Sequence, residues 1–219
     1  HCQTKITCAL KNMKGLIPNR EKRRFHSQGL HGPIAHLAVG IRQDFIVVDN
    51  ICGDWDFEDG GNPVVMNRLM AAADPVLCDA WVCHLMGYPV EEVPYISMAA
   101  ALGAGTDDWR AARIRELNRP EREAQTPRTR KILEVQDAVE EVESCSACYG
   151  YLIPALDRLK REGLLKKLDT RICIGQGFRG KTGELGIGQC TSHFRCHLKG
   201  CPPTDTEIYE FLKNYLEED

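Results

Sequence analysis

The sequence predicts an α/β protein. Apolar strand-like runs alternate with segments of helical periodicity along the whole chain. Clusters of Gly, Asp and Pro punctuate them. In the last third, short strands lead into glycine-rich loops that carry cysteines.

Taken in order, Lys5 to Lys14 has Ile6, Leu10 and Met13 at helical spacing and stops at Gly15 and Pro18. The basic run Arg20, Lys22, Arg23 and Arg24 reads as a solvated loop. Ile34 to Ile41 is a second helix. Phe45-Ile46-Val47-Val48 is a buried strand ending at Asp49-Asn50, where a polar side chain is presented at a strand's carboxyl end. A Gly- and Asp-rich loop spans Gly53 to Pro63, and Val64 to Ala72 is a further strand. Asp74-Pro75 opens a helix with Asp as N-cap and Pro in the first turn. Two more helices are expected over Val90 to Leu102 and Asp107 to Leu117. Residues 119–130 are charged, contain Pro120 and Pro127, and read as a linker between an α/β domain at 1–118 and a second domain at 131–219. There, Val139 to Val142 and Arg171 to Gly175 are short strands, and Leu152 to Glu162 is a helix closed by Gly163. The capping box Thr204-x-x-Glu207 opens a last helix with Ile208, Phe211, Leu212 and Tyr215 on its apolar face.

The bulk properties exclude several classes. With 219 residues, 43% apolar, 27% charged and a net charge of −3, the chain is an ordinary globular protein. That balance argues against a nucleic-acid binder, which needs phosphate-neutralising charge. No apolar stretch reaches the roughly 18 residues of a membrane span. No signal peptide is visible, and a Cys-x-x-Cys pair without one indicates metal or redox chemistry in a reducing cytoplasm.

Of eleven cysteines, six lie in the last 75 residues: Cys145, Cys148, Cys173, Cys190, Cys196 and Cys201. An iron–sulfur cluster needs four converging thiolates, and a Cys-x-x-Cys turn supplies two. A closed zinc site takes the same four sulfurs, so spacing leaves zinc open as the alternative. Cys173 lies in an apolar strand and reads as a buried core thiol. Cys2, Cys8, Cys52, Cys78 and Cys83 show no ligand pattern, and Cys78 and Cys83 read as packing residues.

The order strand, Cys145-Ser-Ala-Cys148, helix, then Gly188-Gln-Cys190, then Gly200-Cys201-Pro202-Pro203 ahead of a helix resembles the proximal-cluster region of the nickel–iron hydrogenase small subunit. The resemblance covers residues 139–216 and implies a small flavodoxin-like domain binding a 4Fe-4S cluster through Cys145, Cys148, Cys190 and Cys201. Cys196 is the substitute for Cys190. Backbone amides of Gly188, Gln189 or Gly200 are expected to point at the sulfurs. The segment is much shorter than a hydrogenase small subunit, so hydrogenase activity is not implied.

Residues 1–117 are similar to the domain-of-unknown-function family numbered 362. The likeness rests on His1-Cys-Gln-Thr-Lys5-Ile-Thr-Cys-Ala-Leu-Lys11-Asn12-Met-Lys14-Gly15, on His26 and His31, on the strand to Asp49, on Asp74-Pro75 with Asp79, and on Gly103-x-Gly105. The chain enters that motif midway, without its Pro-Lys-x-Lys-Thr segment. The family commonly accompanies iron–sulfur modules, and it implies a sandwich-like α/β domain. His1, Lys5, Lys11, Asn12 and Lys14 recur at helical spacing, and Asp49, Asp54, Glu58 and Asp59 follow a strand. An anionic ligand against Lys11, Asn12, Lys14 and Asp49 is therefore expected. His26 and His31 read as loop histidines without a ligand role.

Together these readings predict an iron–sulfur oxidoreductase or electron-transfer component that exchanges electrons with a donor or acceptor protein. A non-redox enzyme, or a scaffold module with structural zinc, is the alternative.

Overall fold

A computed structural model describes residues 1, 3–57, 60, 62–118 and 131–217. Cys2, Glu58, Asp59 and the 119–130 segment lie outside them. The architecture is α/β. Two compact units form, one built from Gln3–Trp55 and residues 62–118, the other mainly from residues 131–217.

In the first unit, α1 (Ala9–Asn12) runs into a 3₁₀ turn at Met13–Leu16. It starts later than its periodicity predicts because Lys5 takes a positive φ, which no helix residue does. The basic run folds into a helix, α2 (Asn19–Ser27), instead of a loop. Its cations stay solvated while the helix buries His26. α3 (His31–Gly40) follows. β1 (Ile46–Asp54) continues past Asn50, so Asp49 lies inside the strand and not at its end. β1 pairs antiparallel with β2 (Pro63–Ala72).

α4 (Pro75–Leu85) is capped by Asp74, whose Oδ1 accepts the Val76 and Leu77 amides at 2.9 Å. The helix expected from Val90 divides into a 3₁₀ turn at Val90–Glu92 and α5 (Tyr95–Ala101), because Pro94 has no N–H to continue the ladder. Asp107 to Leu117 holds only a 3₁₀ turn, Trp109–Ala111, and not a helix. The core joins Ile6, Leu10, Ile34, Val76, Tyr95 and Ile96.

The second unit is a four-stranded parallel sheet. β3 (Val139–Glu141), β4 (Ile172–Ile174), β5 (Leu185–Ile187) and β6 (Cys196–Leu198) lie in sequential order. The glycine-rich stretch thus contains two strands that its turn-like composition conceals. α6 (Ser146–Arg161) begins six residues before the predicted Leu152, directly after Cys145. α7 (Asp205–Glu217) has the predicted capping box: the Thr204 amide donates to Glu207 Oε2 at 2.8 Å, and the Glu207 amide to Thr204 Oγ1 at 3.3 Å.

Leu152, Leu156, Ile172, Ile174, Leu185, Ile208 and Leu212 form the core. Burying each such side chain is worth about 1.5–3 kcal/mol, which anchors strands only three residues long. Ile172 and Ile174 face that core, so Cys173 between them points the other way and is half-buried, not a core thiol. No helix among the described residues is long and apolar enough to cross a membrane.

Candidate functional site

Short parallel strands end in turns, and those turns carry the cysteines of the second unit. Cys145 is the residue before α6 and Cys148 sits in its first turn. Cys190 lies in a 3₁₀ turn, Gln189–Thr191, just after β5. Cys201 follows β6 and is exposed, whereas the other three are half-buried. Two glycines make this packing possible. Gly188 takes φ +92°, and a Cβ there would stand 3.9 Å from the Cys148 sulfur. Gly200 takes φ +149°, and a Cβ there would collide with Pro203.

Burial pushes the Cys148 thiol up to about 12, and charge on Cys145, Cys201 and Cys190 pushes it in the same direction. The four groups are therefore near enough to act on one another. Among the described residues, however, no three of the four sulfurs approach within 4.8 Å of one another. Cys196 stands apart, among Arg195 and Tyr215. It takes no part in the field at Cys148.

Polar groups surround the sulfurs, but two of the three amides expected there are engaged elsewhere. The Gly188 amide donates to the Leu198 carbonyl and the Gln189 amide to the Gly200 carbonyl, both at 2.8 Å. These bonds stitch the two cysteine turns together and leave neither amide for a sulfur. Side chains supply the donors instead. Gln176 Nε2 lies 4.0 Å from the Cys145 sulfur. The Arg179 guanidinium hydrogen-bonds Cys190, which raises its pKa above the ordinary value, aided by charge on Cys190, Cys145 and Cys201. Sequence reasoning missed Gln176 and Arg179. The available signal was a cation and an amide inside the glycine run 175–180.

The ligand residues expected in the first unit are only partly brought together. Asn12 and Asp49 line one cavity of about 360 Å³, with Thr7, Cys8, Gln43 and Phe45 among its other walls. Lys11 Nζ donates to Thr7 Oγ1 at 3.1 Å, and Lys14 Nζ lies 3.2 Å from His26 Nε2. Lys5 pairs with Glu92 at 3.2 Å, so it does not share a helical face with Lys11. His26 and His31 belong to helices and not to loops. His31 stacks on Tyr95, with ring centroids 6.0 Å apart.

Cys8 and Cys78 are where the sequence reading departs most from the structure. Their sulfurs lie 3.9 Å apart, beside the fully buried Asp79. Burial pushes the Asp79 carboxyl up to about 7, against the pull of the Tyr95 hydroxyl bonded to it. The Cys8 thiol is raised far above its ordinary value, first by its hydrogen bond to Cys78 and then by burial. Seventy residues separate the two cysteines, so no spacing rule links them.

The family model "Domain of unknown function (DUF362)" matches residues 1–84. No curated protein and no solved structure matches the chain.

Proposed function

We propose that the second unit carries a 4Fe-4S cluster on Cys145, Cys148, Cys190 and Cys201, and that the chain serves as an iron–sulfur oxidoreductase or electron-transfer component. The observation that carries this reading is the spread of the four thiols. They lie within one another's field, yet no three sulfurs approach within 4.8 Å. A tetrahedral zinc site with 2.3 Å bonds draws its sulfurs to about 3.8 Å apart. A cubic cluster holds them wider, at roughly 6 Å, because an iron–sulfide core stands between them. The four sulfurs are thus not preset at zinc spacing, which leaves room for the larger guest.

The surroundings fit as well. Gln176 and Arg179 offer donors to sulfur, and such donors stabilise the more negative, reduced state. When bound, the cluster supplies one-electron transfer. The exposed Cys201 gives the electron a route to a donor or acceptor protein at the surface. In the first unit, the cavity with Asn12 and Asp49 is the candidate place for an anionic ligand, with Lys11 and Lys14 near its rim in sequence.

The test is iron, acid-labile sulfide and zinc analysis of the full chain purified without oxygen. About four irons and four sulfides per chain, with a brown absorption near about 400 nm that bleaches on reduction, are expected. Colourless protein with neither iron nor sulfide overturns the redox reading.

A further inference from the structure

The packing of α1 against α4 brings three metal-ligating side chains together inside the first unit. Cys8 immediately precedes α1, while Cys78 and Asp79 are neighbours on α4. All three are buried, Asp79 completely. One ligand atom from each lies within 4.8 Å of the other two.

We propose that Cys8, Cys78 and Asp79 bind a zinc-class divalent cation, with a fourth coordination position open toward the cavity lined by Asn12 and Asp49. The inference concerns a different unit from the cluster and does not rest on it.

Geometry is the first argument. Two 2.3 Å zinc–thiolate bonds at a tetrahedral angle place their sulfurs about 3.8 Å apart, and Cys8 and Cys78 stand at 3.9 Å. The pair thus already stands at zinc spacing. The donor chemistry is the second argument. Two thiolates and one carboxylate form a mixed soft and hard set of the kind zinc accepts, and three protein ligands with one open position mark catalytic zinc rather than structural zinc.

The third argument is the setting of the carboxylate. Its hydrogen-bond partners include the Tyr95 hydroxyl at 3.0 Å, the Leu10 amide 3.4 Å from either oxygen, the Ala9 amide and the Cys8 thiol. None carries a positive charge, and a buried carboxylate either takes up a proton or pairs with a cation. A cation shared with the thiolates meets that need. Meanwhile Tyr95 and Leu10 fix the carboxylate's orientation, as outer hydrogen bonds do at metal sites. The fourth argument is access. Cys8 is at once a ligand and a wall of the cavity, so a cation bound to it faces open volume beside Thr7, Asn12 and Asp49. A water or an anionic ligand atom would complete the coordination there. Binding releases the two thiol protons to solvent.

The experiment loads the full chain with zinc, and separately with cadmium-113, under reducing conditions. It compares wild type with Cys8→Ser and Cys78→Ser. Wild type is expected to hold one more zinc equivalent than either variant, with iron content equal in all three. Its cadmium spectrum should show a resonance in the two-sulfur range, distinct from any four-sulfur signal and missing from the variants. Equal zinc in all three proteins overturns the proposal. So does a wild-type cadmium spectrum without the two-sulfur resonance, which decides the matter even if neither variant folds. Peptide mapping that finds Cys8 and Cys78 joined as a disulfide in protein purified under reducing conditions overturns it too.

Discussion

The two sulfur-rich regions of this molecule are built on opposite plans. In the second unit, Cys145, Cys148, Cys190 and Cys201 are carried on turns and one helix start at the ends of three-residue strands. They are part-exposed, and among the described residues no three of their sulfurs lie within 4.8 Å of one another. In the first unit, Cys8, Cys78 and Asp79 are held by packed helices, almost sealed from water and already at ligand spacing. Turns joined by backbone bonds between Gly188, Gln189, Leu198 and Gly200 can close around a bulky inorganic core. Side chains wedged between helices have a spacing set by the protein interior, which resists change. One region is shaped to receive a guest, and the other has its dimensions set beforehand.

The largest effect should come from removing a sulfur that the second region cannot replace. Cys148→Ser is expected to lose essentially all iron and sulfide, because Cys148 is the thiol on which the other three act. Cluster binding is coupled to local folding, so the second unit should also unfold several kcal/mol more easily, on the order of a structural metal's contribution. Iron analysis and denaturant unfolding measure both. If Cys148→Ser kept its iron while Cys196→Ser lost it, the assignment of these four sulfurs would fail.

A smaller effect is expected in the first unit. Asp74→Ala removes the acceptor of the Val76 and Leu77 amides at the start of α4, and also the Oδ2 acceptor of the Thr106 amide at 3.0 Å. The loss should be about 1–2 kcal/mol, typical of a capping residue. Iron content should not change. A fall in iron on Asp74→Ala would break the contrast, since it would make the cluster depend on a cap in the other unit.

How far each region could be read from sequence follows from the same contrast. Cys145-x-x-Cys148, Gly-x-Cys190 and Gly-Cys201-Pro-Pro are local patterns, and turns keep such residues near their sequence neighbours. The α/β class was legible for a similar reason: apolar alternation and the Thr204–Glu207 and Asp74–Pro75 caps are local physics. β5 and β6 were not legible, because Gly186, Gly188 and the polar residues that follow read as loop, while parallel pairing of β5 with β4 and of β6 with β5 makes them strands. The Cys8, Cys78 and Asp79 group had no pattern to read. It exists only because α1 and α4 pack together, and helical packing distances are absent from residue spacing.

Arg179 offers a finer probe of the second region. Arg179→Gln removes a positive charge and a hydrogen bond to Cys190 without touching a thiol. Reduction adds negative charge to the cluster, so losing the guanidinium should lower the potential, on the order of tens of mV. Iron content should stay at the wild-type level. A protein-film voltammogram with an unchanged midpoint would show that Arg179 serves the fold alone.

The smallest effect concerns a proton. His31 is the first residue of α3, where the dipole's positive end disfavours a second positive charge. Burial holds its pKa below the ordinary 6.5. Its ring stacks on Tyr95, the residue that donates to Asp79. A base whose folded pKa is depressed gives stability that is full above its unfolded pKa and declines as pH falls toward the folded value. His31 should therefore withdraw stability as pH drops below about 6.5, the unfolded value for histidine, whereas Asp79, raised to about 7, adds stability over the same range. His31→Phe keeps a stacked ring that cannot take a proton, so it should flatten this part of the profile. Thermal unfolding of both proteins across pH 5 to 8, on the order of the range in which histidine titrates, reads the difference. If the two profiles run parallel, the acid sensitivity of the first unit has another source, and the stacked ring is packing alone.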